Sequence, residues 1–73
     1  MHLLVIEDER ELARHVSRAL ERNGHVVRVA HDGEAGLQAA LSARTDLIVL
    51  DLNLPGLDGM TVLARLRAAH ALA

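Results

Sequence analysis

The chain opens on a short apolar run, "HLLVI" at residues 2–6, cut off by the acidic stretch "EDERE". A brief, continuously apolar run of this kind predicts a buried strand. Asp8 then offers a helix N-cap, with Glu11 three residues on as its capping-box partner. Leu12, Val16, Ala19 and Leu20 recur at helical spacing and predict one apolar stripe. Asn23-Gly24 closes that helix, with glycine suited to a left-handed C-terminal position. "HVVRVA" (25–30) reads as a second strand, and its Arg28 predicts an edge position with one face partly wet. Asp32-Gly33 reads as a turn into a helix from about 34 to 43, with Leu37, Ala40 and Leu41 on one face. "DLIVLD" (46–51) is a third strand, apolar on both alternating faces, so helices are expected on both sides of it. Asp58-Gly59 opens a third helix, with Asp58 as its N-cap, Val62, Leu63 and Leu66 inward, and Arg65 and Arg67 outward. Met60 is expected beside the core, and "AAHALA" reads as helix running out. The order βαβαβα predicts a parallel α/β sheet.

Composition narrows the chemistry. Seventy-three residues suffice for one small domain, and a chain of that length buries only about 60% of its unfolded surface. The absence of Cys excludes disulfides and thiol redox chemistry. The absence of Phe, Tyr and Trp removes base stacking, and a net charge of −2 leaves no basic footprint for nucleic acid. No apolar run is long enough to span a membrane and no signal-peptide pattern is visible, so a cytoplasmic location is expected. All eight basic side chains are Arg, so no lysine can take part in a mechanism within these residues.

Glu7 and Asp8 follow the first strand, and Asp51 ends the third. Ligands of open α/β sheets bind beyond the C-terminal strand ends, where strand order reverses. With strand one between strands two and three, the three carboxylates converge. Crowded carboxylates repel, and a hard divalent cation such as Mg²⁺ relieves this through oxygen ligands. A carboxylate ionised beside Mg²⁺ can attack phosphorus to form an aspartyl phosphate. Pro55 and Gly56 would turn the backbone beside such a site, and Gly59 would permit close packing at the third helix.

"VIEDE" followed by "LIVLDLNLPGLDGM" resembles the receiver domain of bacterial two-component response regulators, as does "AHDGEAGL" (30–37). The resemblance implies a flavodoxin-like doubly wound parallel sheet, here truncated to βαβαβα with strand order 2-1-3. It implies a phosphorelay module, not an enzyme, in which Asp51 accepts a phosphoryl group from a sensor histidine kinase. It implies Mg²⁺ held by Asp8, by Glu7 mainly through water, by Asp51 and by the backbone carbonyl of Asn53. The Glu-Asp-Glu form of the acidic cluster is similar to that of regulators carrying a winged-helix DNA-binding domain. The family has five strands, a Ser or Thr after the fourth and a Lys after the fifth. The resemblance covers only the first three βα units, so transfer within these residues is expected to be impaired.

Blander readings exist for each residue. Asp8 could be only a cap, Glu7 a first-turn acid facing the helix dipole, and Asp51 a strand-ending turn residue. The five His residues show no metal-ligand spacing, and His15 reads as solvated. Arg10, Arg14, Arg18 and Arg22 form a loose stripe that reads as a solvated face, with kinase docking as the sharper alternative. A dinucleotide-binding half-domain would need a glycine-rich turn where "IEDERE" stands. An Asp-nucleophile phosphatase would want an acid where Asn53 stands. Finally, "LIVL" would form a bare apolar sheet edge, so a homo-oligomer through the third strand is expected. The alternative to a working receiver module is a structural, self-associating fragment without phosphorelay activity.

Overall fold

A computed structural model describes residues 1–51, 54 and 58–69. The elements run β1 (His2–Ile6), α1 (Arg10–Arg22), β2 (Val26–Ala30), α2 (Gly33–Ser42), β3 (Leu47–Leu50) and α3 (Gly59–Ala69). The three strands are parallel in the order β2-β1-β3. Both neighbours pair with β1 in one register, so Val5 faces Val29 on one side and Val49 on the other. Ladder-like bonds continue past both strand ends. The Val26 N–H donates to the Met1 carbonyl (3.0 Å) and the Asp46 N–H to the His2 carbonyl (2.7 Å) at one end. The Glu7 N–H donates to the Ala30 carbonyl and the Asp51 N–H to the Ile6 carbonyl, both at 3.0 Å, at the other.

Because alternate strand residues face opposite ways, β1 splits its side chains between two layers. Leu4 and Ile6 enter a core with Ala30, Leu37, Ala40, Leu54, Val62 and Leu66, built with α2 and α3. Leu3 and Val5 are equally buried on the other face, where Ala13 of α1 is 1% exposed. Helix α2 lies very close to β1: a Cβ on Gly36 would fall 2.5–2.9 Å from three Ile6 side-chain carbons. Only a glycine permits that approach.

Four expectations need correction. The cap of α1 is Glu9, not Asp8: its carboxylate accepts from the Glu11 N–H (3.0 Å) and the Leu12 N–H (2.9 Å). The longer Glu side chain folds back one residue later and releases Asp8 from capping. Helix α1 buries Ala13, whereas Leu12 and Ala19 are exposed, so its contact line runs one residue beyond the Leu12 stripe. Among the described residues, strand β3 is covered on one side only. Ile48 and Leu50 pack against the core, while Leu47 and Val49, on the α1 side, are 51% and 40% exposed. Leu41 and Met60 are likewise exposed.

The other boundaries follow the local signals. The Gly24 N–H donates to the Glu21 carbonyl and the His25 N–H to the Leu20 carbonyl, with Gly24 at φ 87°. This is a Schellman closure, which requires the left-handed residue. Asp32 caps α2 through the Ala35 N–H (2.8 Å), so its helix starts at Gly33. Arg28 lies on the edge strand as expected, and its guanidinium donates to the Ala39 carbonyl (2.6 Å), the Arg44 carbonyl and the Thr45 hydroxyl. The charge thus sits on carbonyls at the α2 C-terminus, where the helix dipole favours a cation.

Candidate functional site

The strand order places the ends of β1 and β3 side by side. Glu7 leaves β1 with its N–H tied to the Ala30 carbonyl, and Asp51 leaves β3 with its N–H tied to the Ile6 carbonyl. These two backbone bonds set the spacing of the site. Glu7, Asp8 and Asp51 each offer a carboxylate oxygen, and these oxygens lie within 4.8 Å of one another. Glu7 and Asp51 are half-buried and Asp8 is exposed, so the cluster opens to solvent.

The electrostatics follow from that crowding. Burial raises the Glu7 carboxyl above its usual value, helped by hydrogen bonding with Asp8 and Asp51 and by the Asp51 charge. The Glu9 N–H donates to the Glu7 carboxylate at 3.2 Å and works in the opposite direction. Repulsion among carboxylates at this spacing is what a bound divalent cation would offset. The donor set is all oxygen, which suits Mg²⁺ or Ca²⁺ and not a soft metal.

Asp58 is an N-cap, as expected. Its carboxylate accepts from the Thr61 N–H (3.0 Å) and the Thr61 hydroxyl (3.2 Å). Those bonds hold the Asp58 carboxyl below its usual value. Asn53, Pro55 and Gly56, also expected around the site, lie outside the described residues. One neighbour was not expected. His31, the first residue after β2, sits with Nδ1 3.0 Å from the Glu7 carbonyl oxygen. A carbonyl only accepts, so this bond needs the proton on Nδ1. The signal for it was strand pairing: Ala30 opposite Ile6 brings residue 31 beside residue 7.

The family model described as "Response regulator receiver domain" matches residues 3–72. The chain belongs to the response regulator receiver family. The transcriptional regulatory protein YkoG of Bacillus subtilis is 46% identical over 66 residues, covering 90% of this chain and 29% of that protein. Among solved structures, the Thermotoga maritima response regulator TrrA in complex with Mg²⁺-BeF has a TM-score of 0.92 at 28% identity, over 96% of this chain and 61% of that one. TrrA in complex with the histidine kinase ThkA has a TM-score of 0.91 at 29% identity, over 99% of this chain and 62% of that one. The receiver fold of these proteins is thus shared, with a flavodoxin-like sheet in the order 2-1-3. The chain spans under a third of the length of the curated relatives it matches and about three-fifths of the solved receivers. No helix among the described residues is long and apolar enough to cross a membrane.

Proposed function

We propose that the chain is the phosphoacceptor part of a response-regulator receiver, comprising its first three βα units. Asp51 is the residue that takes the phosphoryl group, and a sensor histidine kinase is the donor. The observation that carries this reading is the convergence of Glu7, Asp8 and Asp51 within 4.8 Å at adjoining strand ends. An Asp51 oxygen forms a bond to phosphorus as the phosphorus–nitrogen bond of a phosphohistidine breaks, and the departing imidazole keeps the electron pair. Bound Mg²⁺ supplies charge neutralisation of the phosphoryl oxygens during such a transfer. Asp8 and Asp51 would hold that ion, and the family resemblance adds Glu7 through water and the backbone carbonyl of Asn53. Asn53 stands where a phosphatase with an Asp nucleophile would carry its second acid, so the role is acceptor and not enzyme. The similarity to a transcriptional regulatory protein supports a cytoplasmic module of a transcription regulator, with DNA contact made outside these residues.

Transfer by these 73 residues alone is expected to be slow, since the lysine that neutralises a phosphoryl oxygen in the family has no counterpart in a chain without Lys. Incubation with acetyl phosphate and Mg²⁺, followed by intact mass, tests the proposal. One added phosphoryl group, lost in Asp51→Asn and on adding EDTA, is expected; no addition at any donor concentration would overturn it.

A second reading rests on β3. Leu47 and Val49 present apolar side chains to solvent, and β3 pairs only with β1 among the described residues. Such an edge favours pairing with another strand, here a second copy of the chain. Sedimentation should show a concentration-dependent homo-oligomer that Val49→Lys disperses, and a monomer at all concentrations would exclude it.

A further inference from the structure

A cleft of about 280 Å³ lies on the far side of β1 from β3, lined by Arg10, Ala13, Arg14, Ser17, Val29 and His31. The α1 residues in it fall at positions i, i+3, i+4 and i+7, so one helix face forms a wall. Arg10 and Arg14 stand one turn apart on that face. Among the described residues neither has a carboxylate within ion-pair distance, and the ion pair present there is Arg44–Asp46. Arg10 and Arg14, with no ion-pair partner among the described residues, therefore line one concavity on a chain of net charge −2. Val29, 38% exposed, adds apolar surface beside them, while Ala13 is buried at the base. The Ser17 hydroxyl donates to the Arg14 carbonyl (3.1 Å), and the His31 ring is held through Nδ1 by the Glu7 carbonyl (3.0 Å), so both polar groups are oriented.

We propose that this cleft binds a small organic anion, a carboxylate or phosphate ester with a short carbon body. The guanidinium forks of Arg10 and Arg14 match the planar, bidentate demand of a carboxylate or phosphate group. The carbon body lies on Val29. The volume admits a small ligand of this kind. The cleft shares no lining residue with the acidic cluster and adjoins it through His31, whose ring is bonded to the Glu7 carbonyl.

The test is a titration of the ¹⁵N-labelled chain with succinate, with glycerol phosphate and with chloride, at constant ionic strength in EDTA. Saturable amide shifts at Ala13, Ser17, Val29 and His31 are expected with one or both organic anions and not with chloride. Tighter binding of succinate assigns the site to carboxylates, and tighter binding of glycerol phosphate assigns it to phosphate esters. Arg10→Gln and Arg14→Gln should each weaken binding about tenfold, equivalent to about 1.4 kcal/mol. Arg14→Lys, which keeps the charge and loses the fork, should weaken it less, and Arg18→Gln should leave it unchanged. Shifts that fail to saturate, that chloride reproduces, or that survive both Gln substitutions would overturn the proposal and leave Arg10 and Arg14 as a solvated or protein-docking face.

Discussion

The two ends of the sheet treat carboxylates in opposite ways. At the N-terminal ends of the strands, Asp46 accepts the His2 N–H at 2.8 Å and pairs with the Arg44 guanidinium at 3.3 Å. The His2 hydrogen bond, and then Arg44, hold its carboxyl below the usual range. At the C-terminal ends, Glu7 meets Asp8 and Asp51, and burial and its acidic neighbours push its carboxyl up. The residue types are nearly the same. One end satisfies its acid with the chain's own donors, and that acid anchors structure. The other end crowds its acids beyond what its own donors offset, the arrangement expected where an external cation completes the site. A perturbed carboxyl is thus informative only together with its cause.

The largest test of this contrast is Asp51→Asn. Mg²⁺ affinity, measured by calorimetry, should fall by at least about tenfold, or 1.4 kcal/mol, and phosphoryl uptake should vanish. An unchanged affinity would mean that the cluster is not a cation site. The next effect acts through packing. Gly36→Ala places a methyl against Ile6, the residue directly before Glu7. Overpacking of this kind costs about 1–3 kcal/mol, read as a lower denaturant midpoint. A neutral result would show that Ile6 yields and that the β1 end is less firmly held than its burial implies.

The pH dependence should split by sign. Glu7 has a raised folded-state value, so in EDTA its contribution to stability is present below its unfolded value and is lost as pH rises through the folded value. Asp46 has a lowered value, so its contribution is present above its unfolded value and is lost as pH falls through the folded one. Glu7→Gln should therefore remove the loss of stability that sets in, without metal, as pH rises above the ordinary glutamate value, and Asp46→Asn the loss that sets in as pH falls below the ordinary aspartate value. Mg²⁺ affinity should rise with pH as Glu7 deprotonates. The smallest effect is expected for Arg44→Gln. The pair is largely solvent-exposed, so the loss should be slight and should disappear at high salt.

Much of the site was legible before the structure. The position of each strand, the cap at Asp58, the closure at Gly24 and the meeting of Glu7, Asp8 and Asp51 all come from short-range patterns or from strand order. The misses share a cause. The choice of Glu9 over Asp8 as the α1 cap depends on how the chain leaves β1, and both residues carry a suitable oxygen. Leu12, Leu41 and Met60 are apolar at helical spacing yet exposed, because burial depends on what lies opposite a helix face and not on the face itself.

Local sequence therefore determined the elements, the cap at Asp58, the closure at Gly24 and the chemical type of the site, since turn chemistry and apolar periodicity act over a few residues. Tertiary structure alone decided three further things. It set the distance among the carboxylates, through the backbone bonds of Glu7 and Asp51 to neighbouring strands. It left one side of β3 open, because α1 covers Leu3 and Val5 but not Leu47 and Val49. And it joined Arg10 and Arg14 to Val29 and His31 in one cleft. Each of these depends on residues distant in the chain, and only the assembled sheet brings them within reach.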